Sequence, residues 1–307
     1  MTNHPALGGL PLVLGGNVFW WTAKGDDGFA VLDAFYEAGG RMIDTADVYS
    51  AWIPGNKGGD SETLIGQWLE ARGVRGEMLI HTKTGMWGGK ELYEPARVLR
   101  SLEESLDRLR TDYVDLYYAH RDYEELPMGD IVAAFEGAIQ TGKARELGAS
   151  NFSAARLSEA LDAAQTAGTP PFTVLQNQYN LVERSHYDGE LQRLCAERDI
   201  AMLPFFGLAS GYLTGKYREP GDFEGQDRGN RARDFFAKGP QVLAAMDAIS
   251  AETGASLPAI ALAWLRVQPG IGAPIASARS PAQLETLIES TRLELDADQF
   301  ARLTAAA

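Results

Sequence analysis

Cysteine is nearly absent: Cys195 is the only one in 307 residues. That excludes an internal disulfide. In ELQRLCAERDI it falls on the apolar face of a helical pattern with Leu191 and Leu194, the place of a small core residue rather than of a nucleophile. No apolar run approaches the ~18–20 residues that cross a bilayer, so no membrane span is expected. The opening residues, Met1 to Pro5, show no basic stretch followed by an apolar one. No secretory leader is therefore expected, and a cytoplasmic location is. Positive charge is also short, with 28 Lys and Arg against 42 Asp and Glu and a formal net charge of −14. That balance argues against nucleic acid or an anionic membrane as a partner, and a phosphorylated ligand would need basic groups set aside for it. Finally, LGGNVFWWTAKGDD holds Gly15 and Gly16 but no third glycine at the spacing that an open nucleotide-binding sheet requires.

What is present is a regular alternation. With 45% hydrophobic and 23% charged residues, the composition is that of a globular chain with a sizeable core. Short strand-like runs are expected at 12–14, 41–44, 78–83, 113–119, 146–149, 173–176, 201–205 and 271–275. Amphipathic helical patterns lie between and after them, at 27–38, 61–71, 95–110, 130–141, 154–167, 186–198, 258–267 and 281–290. Eight such units in a chain of this length predict a single-domain (β/α)₈ barrel spanning residues 1–307. Two stretches break the pattern. Residues 50–60 follow the second strand, and a Gly-rich, densely charged stretch at about 207–238 follows the seventh. Long loops inside a compact domain usually carry function.

In a closed parallel barrel the strand ends converge on one face, where barrel enzymes keep their active sites. Three such ends carry chemistry: IDTADVY at 43–49, HTKTG at 81–85 and AHRD at 119–122. They place Asp44, Tyr49, Lys83 and His120 within reach of one another. Tyr49 reads as the acid. Its phenol ordinarily titrates near 10, and moving it to about 7 takes roughly 4 kcal/mol. A lysine ammonium at ~4 Å supplies about that much at an effective dielectric of 20. Lys83 is the expected ammonium, Asp44 the carboxylate that keeps it charged, and His120 the group that orients a substrate carbonyl. Taken singly, each has a plainer reading: Asp44 or Asp47 as a turn cap, Tyr49 or His120 as packing, Lys83 as a solvated lysine. Together, at the ends of three successive strands, they read as a catalytic set.

These motifs resemble the aldo-keto reductase family, and the resemblance runs from LGG at 14–16 to the last helix. It implies a (β/α)₈ enzyme that moves hydride from a nicotinamide cofactor to a carbonyl, with Asp44, Tyr49, Lys83 and His120 as its tetrad. GASNF at 148–152 resembles the segment whose Ser and Asn hold the nicotinamide carboxamide, implicating Ser150 and Asn151. VLQNQYN implicates Gln176 in the same contact. MLPFFGLASGYLTGK resembles the seventh-strand segment that stacks an aromatic on the nicotinamide and wraps the pyrophosphate. It implicates Phe205 for the stacking and Leu208, Ser210 and Gly211 for the wrapping. IASARSPAQLE resembles the reader of an adenosine 2′-phosphate, implicating Arg279, Ser280 and Gln283, with the following helix N-terminus helping to hold the anion. The resemblance thus implies NADPH or NADP rather than NADH, covered by the 207–238 loop with Lys216, Arg228, Arg231 and Arg233. No metal is expected.

Phe19, Trp20, Trp52 and Trp87 are the candidate walls of a pocket for a small carbonyl substrate, aromatic or compact and apolar; packing between loops explains any one of them equally well. The chain departs from the family pattern at Trp20, where Gly is common, at Gly207, often Pro, and at Ala276-Ser277, often Pro-Gly. Little sequence precedes the first strand to plug the bottom of the barrel. Two other readings stand beside the reductase. One is a weakly catalytic, cofactor-sensing subunit resembling the potassium-channel β-subunits; the other is an aldolase forming a Schiff base on Lys83.

Overall fold

The computed structural model describes residues 4–307. Eight parallel strands form the sheet: β1 (Val13–Gly15), β2 (Met42–Asp44), β3 (Leu79–Thr84), β4 (Val114–Ala119), β5 (Ala144–Ser150), β6 (Phe172–Gln176), β7 (Ala201–Met202) and β8 (Ile275–Ala276). Their order is β7-β6-β5-β4-β3-β2-β1-β8. The ring closes where β7 meets the segment leading into β8. Met202 N donates to Gly270 O at 2.9 Å, Gly272 N to Met202 O at 2.8 Å and Ile275 N to Pro204 O at 2.9 Å. Around the ring lie α1 (Asp26–Glu37), α2 (Asp60–Arg72), α3 (Pro95–Leu109), α4 (Met128–Gln140), α5 (Ala154–Ala167), α6 (Glu190–Glu197), α7 (Gly229–Arg233), α8 (Pro240–Thr253), α9 (Leu257–Arg266), α10 (Pro281–Glu289) and α11 (Ala297–Ala306). This is the expected (β/α)₈ barrel.

Strand alternation builds two cores from one chain. Leu116 and Tyr118 of β4 point into the barrel with Val13, Met42, Val174 and Leu203. Tyr117 and Ala119 point out toward the helices. Among the described residues, the barrel bottom holds buried Ala6, whose carbonyl faces His81 Nε2 at 2.9 Å. α5 matches its expected limits because its signals are local: Ser153 accepts from Arg156 N at one end and Gly168 takes φ 68 at the other.

Other boundaries moved. β7 and β8 are shorter than their apolar runs because Pro204 and Pro274 have no N–H to give a ladder. α6 starts at Glu190 rather than at 186, after Gly189 at φ 92. The 207–238 stretch is not irregular. It holds two 3₁₀ turns, Ala209–Thr214 and Pro220–Phe223, as well as α7. It is pinned by Tyr217 stacked on Phe223 at 4.7 Å, with both rings buried. No single helix among the described residues is long and apolar enough to cross a membrane. A surface hollow of about 790 Å³ is lined by the end of α1, the turn after α8 and the length of α10.

Candidate active site

β2 ends at Asp44, beside His81 of β3, and Lys83 follows two residues further along β3 in register with Tyr118. Lys83 is fully buried. An ammonium has three N–H groups, and all three are directed. Lys83 Nζ lies 2.7 Å from Asp44 Oδ2, 2.7 Å from Thr45 O and 3.0 Å from the Tyr49 hydroxyl. The turn after β2 delivers Tyr49 to this point through Tyr49 N donating to Ala46 O at 3.1 Å. Asp47 fastens the same turn to β3, with its N–H on Lys83 O at 3.1 Å and its Oδ2 accepting from Thr84 Oγ1 at 2.6 Å. His120 follows β4 with its N–H on Thr84 O at 2.9 Å, and its ring stands 6.1 Å from that of Tyr49.

The electrostatics depart from the sequence expectation at Tyr49. Burial pushes its phenol well above the usual tyrosine range, and the charge and hydrogen bond of Asp44, 3.4 Å away, push it further. Lys83 does not pull it down toward neutrality, because Asp44 balances the ammonium at 2.7 Å. Lys83 is itself drawn down by burial, against the charge and hydrogen bond of Asp44. Burial, and then the charge of Lys83, hold the His120 imidazole well below its usual range, so it is neutral at pH 7. The arrangement is a neutral ion pair that places one N–H on a fully protonated phenol.

Of the residues the resemblance assigns to the cofactor, Ser150, Asn151 and Gln176 lie next to the tetrad. Asn151, at φ 62, donates through Nδ2 to His120 O at 3.0 Å and to Ser150 Oγ at 3.1 Å. Gln176 Nε2 donates to Asp44 Oδ1 at 2.8 Å, a bond no sequence feature announces. Past β7, Phe205 is half-buried, and Phe206, Ala209, Ser210 and Gly211 all have positive φ, so the backbone winds sharply through Leu208. Ser210 Oγ is buried with no partner. Gly207 fits because a Cβ there would come within 2.8 Å of Leu265 Cδ1. On the far side of the loop, Arg279 N donates to Gln283 Oε1 at 3.0 Å, and Ser280 caps α10 by accepting from Gln283 N at 3.4 Å.

The pocket walls are rearranged. Phe19 is fully buried against the helices and presents no surface to the opening; its carbonyl accepts from Ser50 Oγ at 2.6 Å. Trp20 sits at φ 60, the left-handed conformation that glycine adopts without strain. Trp21, which the motif reading passed over, meets Trp52 edge-on at 5.7 Å, and Trp52 meets Tyr49 at 6.1 Å. Arg228 lies 5.1 Å above Trp21. Among the described residues Trp87 makes no ring contact with this group and is 50% exposed. Tyr118, also missed, lies beside Lys83 with its hydroxyl buried and unpartnered. Two adjacent tryptophans in a loop carry no periodicity that tells which one faces the opening. Among the described residues no three His, Cys, Asp or Glu side chains gather to hold a metal.

Comparison with known proteins agrees with this picture. The chain is 30% identical to aldo-keto reductase YhdN of Bacillus subtilis (strain 168), over 92% of this chain and 84% of that protein. It is 30% identical to norsolorinic acid reductase stcV of Emericella nidulans, over 94% and 76%. It is 27% identical to the NADP(+) aryl-alcohol dehydrogenase of Phanerodontia chrysosporium, over 89% and 74%. The sequence model of the Aldo/keto reductase family matches residues 11–307, so the chain belongs to that family of oxidoreductases.

Proposed function

We propose that the protein reduces aldehydes or ketones to alcohols with NADPH, with Tyr49 as the proton donor. The observation that carries this reading is the three-way engagement of Lys83 by Asp44, Thr45 and Tyr49. Because Tyr49 stays protonated across neutral pH, the acid is loaded before substrate arrives. Its proton passes to the carbonyl oxygen as negative charge builds there, and the phenolate left behind receives the Lys83 N–H already 3.0 Å away. Neutral His120 orients the carbonyl. NADPH, when bound, supplies the hydride.

The residues present fit that cofactor. Ser210 Oγ is buried without a partner, and Arg279 offers a guanidinium for a 2′-phosphate. Ser150 and Asn151 would hold the carboxamide, Phe205 would stack, and Leu208, Ser210 and Gly211 would wrap the pyrophosphate. The 207–238 segment would cover it. The edges of Trp21 and Trp52 beside Tyr49 favour an aromatic or compact apolar carbonyl, and the names of two relatives, an aryl-alcohol dehydrogenase and a norsolorinic acid reductase, support the same class.

The test is turnover of NADPH against a panel of aromatic and aliphatic aldehydes by wild type and Tyr49→Phe. The variant should lose about 10²–10⁴-fold in kcat, the usual worth of a positioned acid, with NADPH binding within about twofold. Turnover at the wild-type rate would remove Tyr49 from the mechanism.

A further inference from the structure

In a chain of net charge −14, three arginines converge where the loop after β7 returns to α10. Arg228, Arg231 and Arg279 are close enough that the other two weaken the hold of Arg228 on its proton, after burial. Two of them lie over aromatic rings, Arg228 on Trp21 at 5.1 Å and Arg231 on Phe206 at 5.2 Å. Arg228 Nη2 is buried without a partner. One carboxylate answers this cluster: Asp227 Oδ2 stands 3.2 Å from Arg279 Nη1, with the two side chains 51% and 45% exposed. Asp227 therefore takes up the guanidinium that the cofactor reading reserves for phosphate.

We propose that Asp227 is a specificity-determining residue for the nucleotide, competing with the adenosine 2′-phosphate for Arg279 and so holding down the preference for NADPH over NADH. The inference rests on the reading of this groove as a nicotinamide-nucleotide site. A guanidinium edge that serves a carboxylate cannot serve a phosphate with the same N–H groups, and a phosphate drawn to Arg279 is brought beside the negative charge of Asp227. NADH meets neither obstacle. Its 2′-hydroxyl is neutral and can donate to a carboxylate, as acidic residues near that ribose position do in other nucleotide sites. An exposed ion pair is weak, so the effect is a graded one of about three- to tenfold in affinity.

The experiment is equilibrium titration of NADPH, NADH and 2′,5′-ADP into wild type, Asp227→Asn, Arg279→Met and the double variant, read by tryptophan fluorescence. Asp227→Asn should tighten NADPH and 2′,5′-ADP about three- to tenfold, leave NADH unchanged or weaker, and have no effect in the Arg279→Met background. The pair is exposed, so thermal midpoints should match wild type; Asp227→Ser serves as a second variant if Asp227→Asn shifts its midpoint. Equal changes for both nucleotides, or none, would overturn the role of Asp227 while leaving the cofactor reading intact. A wild type that binds neither nucleotide would overturn both.

Discussion

Gln176 and Asp44, 132 residues apart in the chain, share a 2.8 Å hydrogen bond in which the amide N–H of Gln176 meets Asp44 Oδ1. The other oxygen of Asp44 is held by Lys83 at 2.7 Å. The residue assigned to the nicotinamide is thus also the second anchor of the carboxylate that keeps Lys83 in place. Gln176→Leu would leave a buried carboxylate oxygen without a donor, at about 1–3 kcal/mol. The thermal midpoint should fall by several degrees and NADPH binding should weaken in the same variant. Weakened binding at an unchanged midpoint would show that the bond to Asp44 contributes nothing.

Lys83→Met should be far more costly. It strands Asp44 as a buried, unpaired charge, which costs about 3–5 kcal/mol. Adding Asp44→Asn removes that charge, so the double variant should recover most of the lost stability in urea unfolding. Its turnover should stay lost, because no N–H then reaches Tyr49. A double variant no more stable than Lys83→Met would mean that the cost lies in packing and not in charge.

Much of this arrangement is legible in the sequence, for a physical reason. A barrel strand is an apolar run that ends where its carbonyl end meets the rim, so Asp44, Lys83 and His120 announce themselves by following such runs. The cap of α11 is equally local: Asp296 and Gln299 exchange side-chain and backbone hydrogen bonds three residues apart. What stays hidden is set by tertiary approach. Nothing in the order of residues joins Gln176 to Asp44 or Asp227 to Arg279, and nothing tells that Phe19 turns to the helices while Trp21 turns to the mouth. The Tyr49 phenol stands above its ordinary range and not below it, because burial and the charge of Asp44, neither visible as a motif, act on it first.

Asp47 gives a pH signature. Burial pushes its carboxyl up to about 7, against the pull of Thr84 Oγ1 and Arg108 and with Glu62 adding to the rise. A carboxyl raised from 3.8 binds its proton more tightly in the folded state. Its contribution is therefore present at low pH and lost as pH climbs from about 4 to about 7. Asp47→Asn keeps an acceptor for Thr84 and cannot ionise. It should be about 1–3 kcal/mol more stable than wild type at pH 8, discounted from the full linkage value, and close to wild type near pH 4. His81, buried neutral on the Ala6 carbonyl, acts with the opposite sign, losing stability as pH falls below 6.5. It does so in both proteins and cancels in the difference. Urea midpoints at the two pH values check this; an equal offset at both would show that Asp47 does not titrate in that range.

Gly148 opens the GASNF segment and pairs with Tyr118 across β4 and β5. A Cβ at Gly148 would fall well inside contact distance of Tyr118 Cδ1 and Cε1. The ring cannot simply retreat, because it is fully buried inside the barrel with the Lys83 ammonium 5.8 Å from its centre. Gly148→Ala should therefore cost about 1–3 kcal/mol through overpacking. Removing glycine's extra freedom in the unfolded chain works the other way by about 0.4–1 kcal/mol, which is too little to offset it. The displaced ring presses on Lys83, so kcat should fall while NADPH affinity changes little. Tyr118→Leu in the same chain frees volume and should restore most of the stability. Gly148→Ala as stable as wild type would mean that Tyr118 has room to move, and that a side chain at this position of β5 does not bear on the lysine.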